Sequence, residues 1–109
     1  MPKFSADLSF LYQEFAFAER FVQASRDGFE AVEYMSPYDL PKEVVAGLLA
    51  DNGLKQVLFN LPAGNWEKGE RGIACHPDRI NEFRGGVKLA AEYAQTLGCK
   101  RLNCLAGIV

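Results

Sequence analysis

Residues 60–77, NLPAGNWEKGERGIACHP, bring two asparagines, a tryptophan, two glutamates, an arginine and the sole histidine into one continuous stretch. Arg71 is the group best suited to hold an anion. Its guanidinium is planar, offers paired donors that match a carboxylate, and keeps its charge at every relevant pH. The competing role is an ordinary surface pair with Glu67, Glu70 or another carboxylate. Asn60 supplies both a donor and an acceptor, and Glu70 and Trp66 complete the candidate set on this segment. Trp66 can act as a lid that excludes water or as an apolar peg that holds the segment down, and the peg is the expected role. Glu33, in GFEAVEYMSPYD, joins the set from elsewhere in the chain. Both Glu33 and Asn60 can equally be buried polar groups satisfied by the backbone. His76 precedes a proline, so a helix cap or an exposed loop position is expected for it, not catalysis.

The spacing excludes two other uses of this segment. A phosphate cradle requires G-x-x-x-x-G-K-[ST], whereas Gly64 to Gly69 is followed by Glu70-Arg71. A disordered linker would leave Leu61, Trp66, Ile73 and Ala74 in water. A packed loop forming one wall of a site remains.

The elements that must carry this loop are marked by a repeat of glycine, apolar, two variable residues, apolar. It occurs at Gly28–Val32, Gly53–Val57 and Gly98–Leu102. Each copy follows a stretch of helical periodicity, so each glycine reads as the left-handed turn from helix to strand. The helices expected are Glu14 to Asp27, with Phe17, Ala18, Phe21, Val22 and Ala24 inward; Pro41 to Asn52, with Val44, Val45, Leu48 and Leu49 inward; and Pro77 to Leu97, with Ile80, Phe83, Val87, Ala90, Ala91, Ala94 and Leu97 inward. Pro41 and Pro77 suit first helical positions. Gly85-Gly86 costs about 1 kcal/mol per glycine inside a helix, which predicts close packing or a bend there. Strands are expected at Lys3–Leu8, Phe29–Met35, Lys55–Leu61 and Arg101–Ala106. The resulting order, β-α-β-α-β-α-β, calls for parallel pairing through right-handed crossovers in an α/β fold. Long strand-to-helix loops with tight helix-to-strand turns favour a barrel over a doubly wound sheet. Glu33 and Asn60 then fall near strand C-terminal ends, where barrels place working groups. Tyr34 and Tyr38 are expected to pack. A complete barrel needs eight strands and roughly 250 residues. Residues 1–109 supply four strands, a single partial domain.

Composition narrows the function classes. At 49% hydrophobic and 24% charged, the chain can bury a core. A net charge of −2 gives no pull toward nucleic acid or anionic lipid, and no signal peptide or spanning segment is evident, so a cytoplasmic protein without nucleic-acid or membrane partners is expected. Cys75, Cys99 and Cys104 contain no C-x-x-C pair and are expected as free thiols, with Cys99 and Cys104 on opposite faces of any strand holding both.

The segments FSADLSFLY, GFEAVEYMSPYD, FNLPAGNWEKGERGIA and LNCLAG, in this order and spacing, resemble the N-terminal half of the hydroxypyruvate isomerase family, within the xylose-isomerase-like TIM barrels. The resemblance spans essentially the whole chain, and LPAGNWEKGERGIA is its most specific part. It implies a (β/α)8 fold and the interconversion of hydroxypyruvate and tartronate semialdehyde, or of related sugar acids, through an enediolate. It also implies a divalent metal in the full-length family. The metal ligands and the two proton-shuttling glutamates of that family come from later strands. No catalytic or metal-ligating residue is therefore carried over, and no metal is expected on this chain alone. Asp7 departs from the asparagine that the family tends to carry there.

Two functions of different class follow. One is the substrate-side portion of a sugar-acid isomerase, inactive alone, whose partners are a small sugar acid and a complementing C-terminal half. The other is a non-catalytic half-barrel module that associates with a second copy through its open edges.

Overall fold

A computed structural model describes residues 4–108. The element order is β1 (Ser5–Asp7), α1 (Phe17–Arg26), β2 (Ala31–Glu33), α2 (Lys42–Asp51), β3 (Lys55–Asn60), α3 (Ile80–Leu97) and β4 (Leu102–Asn103), with short 3-10 turns at Trp66–Lys68 and Pro77–Arg79. The sheet runs β1-β2-β3-β4, and every neighbouring pair is parallel. Sequential parallel strands with helical crossovers are the expected α/β arrangement. Lys3, part of the first expected strand, lies outside the described residues, as does Val109.

The registers place Ala6 beside Val32 and Asp7 beside Glu33. Alternate residues of a strand share a face, and the two faces differ. Ala6, Leu8, Val32, Tyr34 and Phe59 are buried and belong to the main apolar cluster, together with Phe21, Ala24, Val45, Leu49, Ala90 and Leu97 of the helices. Ser5, Asp7, Ala31 and Glu33 alternate with them and remain partly exposed. Full burial of side chains such as Phe21, Phe59, Leu8 and Val32 stabilises the fold by about 1.5–3 kcal/mol each. Three edge-on aromatic contacts join Phe17, Phe21 and Tyr34, and Tyr38 packs in the same way on Phe59 and Tyr93. Both tyrosines are thus packing residues.

All three repeated glycines have positive φ: 91° at Gly28, 64° at Gly53 and 66° at Gly98. At Gly98 the left-handed turn ends α3, and its N–H reaches the carbonyl of Gln95.

Several boundaries differ from expectation. Helix α1 begins at Phe17 instead of Glu14, because Tyr12 adopts a left-handed φ of 61° and the Phe15 carbonyl accepts from the Arg20 side chain. Pro41 is the residue before α2, with an extended ψ of 143°, and its carbonyl accepts from Val44 and Val45. Pro77 opens a 3-10 turn that leads into α3 at Ile80. His76 precedes that turn, but its side chain makes no cap hydrogen bond. Strand β4 is much shorter than 101–106. Past Asn103 the chain turns away to meet the long loop instead, with Ala106 bridging Gly72. Neither Cys99, buried, nor Cys104, exposed, lies in the strand, and Cys75, Cys99 and Cys104 are all free thiols.

The inward stripes also shift. Val44, Ile80, Val87 and Ala91 are exposed, while Tyr93 is buried on α3 with its hydroxyl donating to the Leu40 carbonyl. Helix α3 continues unbroken through Gly85-Gly86, and close packing does not account for the pair: a Cβ on Gly85 would meet nothing within 4 Å, and one on Gly86 would make only ordinary contact. A Cβ on Gly86 would lie 3.4 Å from Pro62, at the start of the long loop. Among the described residues no helix is long and apolar enough to cross a membrane.

Candidate functional site

The C-terminal ends of parallel strands all point one way, so the loops leaving β1, β2 and β3 gather at one end of the sheet. There they enclose a cleft of about 1080 Å³. Ser9 lines it from the first loop, Met35, Ser36 and Asp39 from the second, and Asn60, Asn65, Trp66 and Glu67 from the third. Helix α1 adds Phe17 and Arg20.

The long loop is built internally. Asn65 begins the first 3-10 turn, its side-chain oxygen accepting from the Lys68 N–H at 3.2 Å. Glu70 accepts from the Asn65 N–H at 2.6 Å and pairs with both terminal nitrogens of Arg79, which also pairs with Glu82. The Arg79 guanidinium, with the Asn65 N–H, lowers the Glu70 pKa to about 2. Gly72 anchors the far end of the loop. Its φ is 103°, and a Cβ there would sit 2.0 Å from the Leu105 carbonyl oxygen, so only glycine lets the loop lie against the chain after β4. The Gly72 N–H donates to Ala63 at 2.8 Å and the Cys75 N–H to Ala106 at 2.7 Å. Ile73 is buried behind this junction, while Ala74 is exposed.

Of the five residues singled out in the sequence, Asn60 and Trp66 line the cleft. Asn60 is 9% exposed at the end of β3. Its side-chain oxygen accepts from the Asn103 amide at 3.3 Å, and its backbone carbonyl accepts from the Tyr38 hydroxyl. Burial raises the Tyr38 pKa, with Tyr93 adding to the effect, so this hydroxyl stays a donor. Trp66 is 42% exposed and forms cleft wall, so it is not a buried peg. Arg71 stacks on the Trp66 ring, with its guanidinium carbon 3.5 Å from the ring centroid. One of its nitrogens donates to the carbonyls of Trp66 and Glu70 at 3.0 and 2.8 Å. Arg71, Glu70 and Glu33 stand outside the cleft wall. Glu70 spends its oxygens on the loop, and Glu33 lies beside Asp7 on the partly exposed sheet face. Asp7 itself accepts from the Ser9 N–H at 3.0 Å, which turns the first loop.

Arg20 is the cleft residue that loop-centred sequence reading overlooks. Its Nε donates to Phe15 at 3.0 Å and one Nη to Leu8 at 2.7 Å, both backbone carbonyls of the first loop. A readable signal existed. A cation near the start of a helix opposes the macrodipole and calls for compensation elsewhere. Among the described residues no three histidine, cysteine or acidic side chains gather as metal ligands. The donor set here does not fit the divalent ion that the full-length family implies.

The comparisons with known proteins agree with this architecture. The chain is 52% identical over 107 residues to the hydroxypyruvate isomerase of Escherichia coli K12, a match spanning 98% of this chain and 42% of that protein. It is 45% identical over 109 residues to the 2-oxo-tetronate isomerase of Cupriavidus necator, covering all of this chain and again 42% of the relative. A crystal structure described as AP endonuclease, family 2, from Brucella melitensis superposes with a TM-score of 0.96 at 45% identity, over 99% of this chain and 42% of that one. The chain thus spans about two fifths of the length of the relatives it matches, and its four parallel strands and three helices are an N-terminal half-barrel. The sequence profile described as xylose isomerase-like TIM barrel matches residues 21–109, and the chain belongs to that family.

Proposed function

We propose that this chain forms the substrate-holding half of a sugar-acid isomerase, which interconverts hydroxypyruvate and tartronate semialdehyde, or their four-carbon counterparts. The supporting observation is the cleft at the strand C-terminal ends, walled in part by the loop of residues 60–77, in a chain 52% identical to a hydroxypyruvate isomerase. The reaction removes a proton from C3 and returns it to C2 through an enediolate, so it needs a substrate fixed by its ends and shielded from water. In this reading Asn60 bonds a substrate oxygen at the cleft floor, and Trp66 covers the reacting carbons. Arg71, stacked on Trp66 and bonded to the loop carbonyls, holds the tryptophan in position. Glu70 keeps the loop in shape, and Glu33 faces the partly open sheet surface where later strands would add their groups. The metal ion and the proton-moving glutamates come from those later strands, on a cytoplasmic protein whose missing half is supplied in the same or another chain.

Complementation tests this reading. The chain is co-expressed with the remaining strands of the Escherichia coli relative, and hydroxypyruvate turnover is followed by NMR. Metal-dependent isomerisation by the complemented pair is expected, with the 109-residue chain alone at least about a thousandfold slower, the scale expected when general acid–base groups are lost. A folded, complemented pair that leaves hydroxypyruvate and 2-oxo-tetronate untouched refutes the assignment. Ordinary turnover by the isolated chain refutes the division of labour.

A further inference from the structure

We infer that Arg20, on α1, makes the direct contact with the substrate carboxylate, in a subsite shared with Ser9. The inference rests on the sugar-acid reading above and goes beyond it by assigning the anion to a different wall of the cleft from the loop that carries Arg71. Arg20 lines the cleft, whereas Arg71 does not. The only charged side chains in the cleft wall are Arg20, Asp39 and Glu67, so Arg20 is the one cation there among the described residues.

Its guanidinium is already oriented. Two backbone carbonyls, of Phe15 and Leu8, take one N–H of Nε and one of Nη1. An arginine has five N–H donors, and the other three have no protein partner among the described residues. A side chain held this way loses little freedom when it captures a ligand. Ser9 follows Leu8 directly, so the bond from Arg20 to the Leu8 carbonyl sets the guanidinium beside it. The Ser9 oxygen accepts from the Met35 N–H at 2.8 Å, which fixes the hydroxyl and leaves its own proton free to donate. Both residues line the cleft, and guanidinium and hydroxyl are donors of the kind a carboxylate accepts. The first turn of α1 lies on the same wall, and its dipole adds to the favourable field without being a site in itself.

The two carboxylates define the rest of the ligand. Asp39 and Glu67 are acceptors only when ionised, so they suit the hydroxyl groups of a short polyol chain and oppose a second negative charge. The ligand class is a monoanionic hydroxy acid in preference to a sugar phosphate.

Trp66 is the only tryptophan in the chain and lines the cleft, which makes its fluorescence a reporter independent of turnover. The probes are glycerate, neutral glyceramide and 3-phosphoglycerate, titrated into the 109-residue chain and into Arg20→Gln and Arg20→Lys. The wild-type chain should bind glycerate more tightly than either other probe. Arg20→Gln should weaken glycerate by roughly ten- to a hundredfold, the cost of one charged hydrogen-bonded contact, and leave glyceramide unchanged. Arg20→Lys keeps the charge but not the fork, so it should fall between them, and it serves alone if the glutamine variant fails to fold. A wild-type preference for glycerate that survives in Arg20→Gln, or in Arg20→Lys if only that variant folds, overturns the role of Arg20 and leaves the sugar-acid reading standing. Equal weakening of glycerate and glyceramide also overturns it, by reducing Arg20 to a scaffold. No preference for glycerate in the wild-type chain overturns both.

Discussion

Glu70 joins distant parts of the long loop through a single side chain. Its carboxylate closes the 3-10 turn through the Asn65 N–H and ties the loop to the second 3-10 turn, just before α3, through Arg79, nine residues further on. From the sequence, Arg71 looks like its natural partner. The 3-10 turn at 77–79 instead delivers Arg79, and Arg71 turns onto Trp66. Such a swap is set by backbone conformation that neighbouring residue types do not encode. The pH consequence follows from the sign of the shift. The Glu70 pKa is depressed in the folded chain, from an ordinary 4.5 to about 2, so its anchoring is fully present above about pH 4.5 and is lost as the pH falls toward 2. An acid titration of Trp66 fluorescence should show a transition in that window, and Glu70→Gln should remove it. At neutral pH the same variant should be nicked several times faster after Lys68 by trypsin, since the loop is no longer tied at both ends. Matching acid profiles and nicking rates in the two proteins would show that the Arg79 contact does not hold the loop.

Helix α3 and the loop before it carry glycines of opposite meaning. Gly85 lies in the helix, and a methyl added there would meet nothing within 4 Å, so Gly85→Ala should stabilise the chain by about 0.8–1 kcal/mol, raising Tm by roughly 4–8 °C. Gly72→Ala should do the reverse. A positive φ alone costs a non-glycine residue about 1–3 kcal/mol, and the added Cβ meets the Leu105 carbonyl oxygen at 2.0 Å. Thermal melts of both variants decide the matter, and a neutral Gly72→Ala would mean that the loop does not dock on residues 105–107. At this scale the order and type of elements were legible, because helix periodicity and the glycine repeat are local signals. The stripe on α3 was less so. Ile80 and Val87 read as inward from their spacing but are exposed, and Tyr93 is buried because its hydroxyl finds the Leu40 carbonyl. The cleft was legible on its loop side, at Asn60 and Trp66. Its helix side, Arg20, carried only the weak local signal of a cation near a helix start, and its place in the cleft came from the packing of α1 against the first loop.

The sheet has two edge strands, β1 and β4, and its inward barrel face is only partly covered. The Cα radius of gyration is 14.4 Å, above the roughly 13 Å of a compact domain of about 100 residues, as expected for an open shape. Phe4, Phe10 and Ile108 are 70%, 64% and 62% exposed, the first two on either side of β1 in the sequence and the third after β4. An edge strand offers unpaired N–H and C=O groups, and apolar side chains beside it make pairing with another chain more favourable. These are the surfaces that the rest of a barrel would cover, and in its absence a second copy offers the same chemistry. Sedimentation velocity at micromolar concentration should therefore show concentration-dependent association of the isolated chain. Phe10→Lys combined with Ile108→Lys should shift it toward monomer without lowering Tm, because neither side chain is in the core. Addition of the complementary strands of the Escherichia coli relative should also abolish self-association, by occupying the same edges. A chain that stays monomeric throughout while retaining its fold would show that the open half-barrel is self-sufficient, and that burial among the helices outweighs the cost of two bare edges.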